Sequence, residues 1–184
     1  MSKAVMISIR PKWCGKICSG EKTIEVRKTR PKLETPFKCY IYCTSGRPDL
    51  NIPISPERLM QDYLDTGSMQ SLNCPLGNGK VIGEFVCDRI YGLAPLNHAP
   101  DDVEQQACLT REEIVRYLKG VGYGWHISGL KIYDKPRELR EFKKNNRDCF
   151  YADFGLAKRD CPDCKNSGCF LERPPQSWCY VEEM

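Results

Sequence analysis

The residues with the most chemistry in this sequence are Lys22, Glu25 and Arg27, in the run Gly20-Glu21-Lys22-Thr23-Ile24-Glu25-Val26-Arg27-Lys28-Thr29-Arg30-Pro31. Lysine supplies a compact positive charge or, when desolvated, a base or nucleophile. Arginine supplies a planar fork that matches a phosphate or a base edge. Glutamate accepts from an exocyclic amine or holds the lysine in place. Residues 23–27 alternate with period two, which puts Glu25 and Arg27 on one strand face and Ile24 and Val26 on the other. Two readings of the polar face stand. It lines a functional cleft, or it is an ion-paired face turned to solvent that contributes little.

The surrounding charge favours an anionic partner without specifying one. Arg10, Lys12, Lys16, Lys22, Arg27, Lys28, Arg30, Lys32 and Lys38 crowd the first forty residues, against Glu21, Glu25 and Glu34. The formal charge of the whole chain is only +4, so the distribution carries the hint and the sum does not. Trp13 lies beside the motif and Trp125 sits in a later strand; either could stack on a base if it faces the cleft. Trp178 is expected to pack in the closing strand. With only His98 and His126 available, a histidine-based hydrolase or a histidine-rich metal centre is poorly supported.

Cysteines form a second constellation. Cys161-Pro-Asp-Cys164-Lys-Asn-Ser-Gly-Cys169 has the tight C-x2-C turn that closes around a tetrahedral ion, with Cys179 or Cys149 as fourth ligand. Structural zinc, unliganded loop thiols and a redox pair are the three readings of that cluster. Cys14, Cys18, Cys39, Cys43, Cys87 and Cys108 lie among apolar or helical residues and are expected to act as small core hydrophobes.

These side chains need elements to position them. A chain of 184 residues with a hydrophobic fraction of 41% can bury a real core, so global disorder is not expected. A first strand is expected over 4–9, then a short helix with Pro11 early and Gly20 as its stop. Strands follow over 23–27 and 37–43, and a helix opens at Ser55-Pro56 and runs to about Tyr63. Residues 80–90 read as a long apolar strand, and residues 92–108 show no strong periodicity. Thr110-Arg111-Glu112-Glu113 is a capping box that starts a helix stopped by Gly120. Residues 124–133 read as a strand, Asp134-Lys135-Pro136 as the start of a short charged helix, and residues 177–181 as the last strand. The strands are too few and too unevenly spaced for a parallel βαβ repeat. A single α+β domain is expected, with a mixed or largely antiparallel, partly closed barrel and short flanking helices.

No 18-residue apolar window occurs, so no membrane-spanning helix is expected. The opening residues lack the hydrophobic centre of a secretory signal, which makes the reducing cytoplasm the expected location.

Gly-x-Lys-x-x-Glu-x-Arg after a strand and a short helix, here Gly20, Lys22, Glu25 and Arg27, resembles the signature of ASCH domains in the PUA-like superfamily. The likeness extends through residues 80–85, 123–127 and the closing 173–181, which resembles small phage and bacterial members. It leaves out roughly 44–75 and 145–172, so the cysteine cluster reads as an insertion at about 145–172. The resemblance implies a PUA-like mixed barrel and a cleft for RNA or a modified nucleotide, with Lys22, Glu25, Arg27, Lys28, Arg30, Trp13 and Trp125 as its binding residues. No cofactor is implied for that cleft. One subgroup hydrolyses N4-acetylcytidine with a lysine, a threonine and a glutamate, which map onto Lys22, Glu25 and Glu84. The carboxylate in place of the threonine stabilises a protonated Lys22 and fits binding better than that chemistry. As an enzyme, the chain would be an amidohydrolase in which Lys22 activates water or attacks and Glu84 protonates the leaving amine. A third reading is a protein-interaction domain of a phage accessory protein.

Overall fold

The computed structural model describes residues 2–52, 56–67, 76–93, 98–145 and 170–184. Six strands form one sheet in the order β2-β5-β4-β3-β1-β6, where β1 is Lys3–Ile9, β2 Ile24–Arg27, β3 Phe37–Cys43, β4 Lys80–Gly92, β5 Tyr123–Arg137 and β6 Trp178–Glu182. Only β1 and β3 run parallel; every other neighbouring pair is antiparallel. The helices are α1 (Pro11–Cys18), α2 (Pro56–Thr66), α3 (Val103–Ala107) and α4 (Arg111–Leu118). This is the mixed α+β half-barrel expected from the strand spacing.

The sheet is buried on both faces at its centre, which explains the near-continuous apolar runs of β1 and β3. Val5, Ile7, Ile9, Cys39, Ile41 and Cys43 point into one core cluster with Trp125 and Phe85. Ala4, Met6, Tyr40 and Tyr42 point into another, on the far side of the same strands. Ile24 and Val26 pack with Val103, Ala107, Ile114 and Leu118 in a third cluster beneath α3 and α4.

Curvature comes from β4 and β5, whose ladder slips register at three places. Such bulges bend a strand and raise its twist. Gly83 sits at one of them, and a Cβ there would lie 2.4 Å from the Lys131 carbonyl oxygen. Only glycine permits that approach.

The curl brings the two edge strands, β2 and β6, towards each other without a ladder between them. Side chains cross the gap instead. Trp178 Nε1 donates to Thr29 Oγ1 at 3.0 Å, and the Lys32 amide donates to the Tyr180 hydroxyl at 2.7 Å. Arg27 spans the same seam.

Two expectations differ from the structure. Residues 134–137 continue β5 and do not start a helix, and only the short 3-10 turn Leu139–Glu141 follows. Pro136 is buried near the irregular end of the ladder, where a missing N–H is tolerated. Within 92–108, where no element was expected, α3 forms. Ser55 and the cysteines 149, 161, 164 and 169 lie outside the described residues. On either side of 146–169 the chain meets itself: Lys143 bridges Phe170, and the Leu171 amide donates to the Phe142 carbonyl at 2.8 Å. Among the described residues no helix is long and apolar enough to cross a membrane.

A buried cation-carboxylate-cation floor at the barrel seam

The local chain path explains why the motif residues converge. Pro11 starts α1 and Gly20, at φ +77°, takes the left-handed conformation just past its end. The chain then turns straight into β2, with the Lys22 amide donating back to the Lys16 carbonyl at 2.9 Å. Trp13 on α1, Lys22 at the turn and Glu25 and Arg27 on β2 thereby face one hollow of about 460 Å³. Ser8, Arg10, Thr44, Leu109, Tyr117 and Gln176 complete its main walls.

The three charged side chains are floor and not rim: Lys22, Glu25 and Arg27 are 3%, 6% and 7% exposed. The solvent-facing reading of this strand is therefore wrong. Lys22 Nζ donates to the Ala107 carbonyl oxygen at 2.7 Å, lies 3.5 Å from Glu25 Oε2 and sits 5.2 Å from the centre of the Trp13 ring. Glu25 Oε1 lies 3.0 Å from the Arg27 guanidinium. Arg27 also donates to the Ser8 carbonyl oxygen at 2.6 Å and to Ser177 Oγ at 3.3 Å. With one carboxylate between two cations, the floor is net positive.

The floor is also incomplete. Arg27 Nε is buried without a hydrogen-bond partner among the described residues. An unmet buried donor costs about 1–3 kcal/mol, and more when it belongs to a charged group. A hollow with a net positive floor and aromatic walls can take a flat ligand that offers acceptors. Tyr117, 45% exposed at the wall, has Lys28 Nζ 5.4 Å from its ring centre, so a further cation stands beside that wall.

Other expected site residues lie elsewhere. Trp125 is fully buried in the central core, 6.0 Å from Phe37 and from Trp178 between ring centres, so it cannot stack on a ligand. Its indole N–H has no acceptor among the described residues. Glu84 is not among the residues lining the hollow. Its carboxylate accepts from the Tyr133 hydroxyl at 2.6 Å and lies 3.7 Å from Lys38, in register with Tyr40 of the second core cluster. Arg30 stands past the end of β2, with its guanidinium 5.6 Å from the Tyr123 ring centre.

Cys179 is half-buried on β6, and burial pushes its thiol up to about 11, so a thiolate there needs a cation beside it. The other cysteines named as zinc ligands are outside the described residues, and among the described residues no three metal-ligating side chains converge.

Ala107, Tyr117, Arg10, Ser8 and Gln176 were not singled out from the sequence. Arg10 left a signal as part of the N-terminal basic run, whereas the helical spacing of Tyr117 from Ile114 places it on the core-facing side, and it is exposed. The Ala107 contribution is a backbone carbonyl, which residue type does not encode.

No protein-family model matches the chain, and no curated protein matches it. Among solved structures it is similar to ASCH from Zymomonas mobilis, with a TM-score of 0.54 at 17% identity over 98% of this chain and 88% of that one. A mutant of the same protein, ZmASCH, gives a TM-score of 0.56 at 17% identity over 99% and 92% of the two chains. At such identities the likeness establishes the fold: the chain has the ASCH fold.

Proposed function

We propose that the hollow binds a nucleotide unit of RNA or a modified nucleotide. The observation that carries this reading is the buried Lys22-Glu25-Arg27 group, net positive, lining a hollow that Trp13 and Tyr117 also line. The base stacks on Trp13, and Lys12, exposed and 4.9 Å from that ring centre, gives way as it enters. An acceptor on the base or sugar meets the cationic floor, an exocyclic amine meets Glu25, and phosphate oxygens meet Arg10 and Lys28. The similarity in fold to an ASCH protein supports the same reading.

Binding is preferred to hydrolysis on two grounds. The amidohydrolase scheme needs a carboxylate beside Lys22 to protonate the departing amine, and Glu84 is committed to Tyr133 and Lys38 outside the lining. Glu25 is near enough but stands between two cations that hold it as an acceptor.

A screen of nucleosides, nucleotides and short RNA at low and high salt tests the proposal. The expected result is salt-sensitive binding by the parent chain that drops at least about fivefold in Trp13→Ala with an unchanged circular dichroism spectrum. Absence of binding to every RNA, DNA and nucleotide at low salt rejects it.

A further inference from the structure

A second hollow, of about 690 Å³, opens among residues 30–35 and Ile90. We propose that it takes a further nucleotide of the same strand, so that the ligand is a single-stranded oligonucleotide and not a free nucleotide. This rests on the reading of the first hollow as a nucleotide site.

Four observations support it. The hollows are neighbours along the chain, since Arg27 lines the first and Arg30 the second. Three extended residues span no more than about 11 Å, a gap that a short stretch of nucleic-acid backbone crosses without turning.

The connecting segment is cationic and unspent. Lys28, Arg30 and Lys32 are all exposed, and among the described residues none of them forms an ion pair. Glu34 is the one carboxylate in the lining of the second hollow. Phosphates passing along this segment displace counterions.

The segment is also fixed in place. Thr29 is held by Trp178 and the Lys32 amide by Tyr180, while Arg30 lies over the Tyr123 ring. The backbone that carries the cations is thus held, and Arg30 loses little freedom on binding, which raises affinity per contact.

Last, the second hollow has an apolar side. Pro31 is buried, and Leu33 and Ile90 are half-buried against the central core. Cations for a phosphate beside an apolar surface for a ring face is the chemistry of a nucleotide subsite. A base still stacked in a duplex cannot lay its face on Trp13, so the two hollows call for unstacked bases.

The test uses fluorescently labelled oligouridylates and oligodeoxythymidylates of one to six nucleotides, titrated into the full chain at fixed low salt. In the parent, affinity is expected to rise at least tenfold between one and four nucleotides; the ribose and deoxyribose series report which sugar is preferred. In Arg30→Ala/Lys32→Ala, and separately in Leu33→Asp, the ratio of tetranucleotide to mononucleotide affinity is expected to fall towards one. An unchanged ratio in both variants, or no gain with length in the parent, overturns the second subsite and leaves the first standing. No binding of any probe by the parent overturns both. An acidic peptide that binds the parent more tightly than any oligonucleotide, and loses that binding in the double variant, reassigns the second hollow to a protein partner.

Discussion

The Arg27 guanidinium donates to the Ser8 carbonyl oxygen at 2.6 Å, and by that bond the edge strand β2 is fastened across the seam to β1. The residue that lines the hollow also closes the half-barrel. Its other ties are Ser177 Oγ at 3.3 Å and Glu25, 3.0 Å away and as deeply buried. Site and fold are therefore coupled at this residue, and a substitution here disturbs both.

Glu25→Ala separates the two roles. It leaves Lys22 and Arg27 as buried cations without their counter-charge, and removing one partner of a buried pair costs about 3–5 kcal/mol. Urea unfolding is expected to show a loss of that size. Arg27→Ala is expected to cost a similar amount, because it strands the Glu25 carboxylate and opens the seam. The double variant is expected to lose less than the sum of the two, since neither charge then lacks the other.

Trp13 and Trp125 are expected to respond in opposite ways. Trp13 is half-buried at the hollow, so Trp13→Ala should lower nucleotide affinity by about 1–3 kcal/mol, the range for loss of one base-aromatic stack. Trp125 is fully enclosed by the central core, and Trp125→Ala should cost about 3–5 kcal/mol of stability. Isothermal titration and thermal melts on both variants separate the roles; equal affinity losses at equal stability would contradict the assignment.

These two tryptophans also mark what the sequence could reveal. Period-two alternation correctly set Glu25 and Arg27 apart from Ile24 and Val26, because it depends on backbone geometry alone. Whether the polar face was exposed or enclosed depends on how β2, α1 and the chain before β6 meet, which is long-range information. The same limit hid α3. It is five residues long and its apolar pattern is too short to read, yet its last residue supplies the carbonyl that holds Lys22. At Pro136 local preference pointed to a helix start, and pairing with β4 overrode it. Glu84 was named for its place in a likeness between sequences, and the register of β4 puts it beside Tyr40 and Lys131.

The salt dependence of binding should count the cations used. For a single strand the slope of log affinity against log salt is about −0.7 per phosphate neutralised. Lys28→Ala removes the cation held over Tyr117 and is expected to make the slope shallower by about 0.7, with affinity reduced to a similar degree for all base sequences. A Lys28→Ala slope equal to that of the parent, measured by fluorescence anisotropy between low and physiological salt, would remove Lys28 from the phosphate path.

Stability should fall on the alkaline side, and the buried thiols set the window. Burial pushes Cys87 up to about 12 and Cys18 up to about 11, and it also raises Cys39. An unfolded thiol titrates near about 8.5. Below that value both states hold the proton and these groups leave stability untouched. As the pH rises past it, the unfolded chain releases protons that the folded chain keeps, so the unfolded state gains and stability drops until the folded thiols ionise. Each such thiol adds a slope approaching about 1.4 kcal/mol per pH unit. Cys43 works the other way, since its hydrogen bond with Cys14 favours its thiolate. Cys87 is fully buried, and Cys87→Ala removes one titrating group without adding a polar one. Urea unfolding under reducing conditions at pH 7.5, 9 and 10.5 should show stability falling with pH in the parent and falling on the order of 1 kcal/mol per pH unit less steeply in Cys87→Ala. Parallel curves would mean that the Cys87 thiol ionises as readily in the folded chain as in the unfolded one.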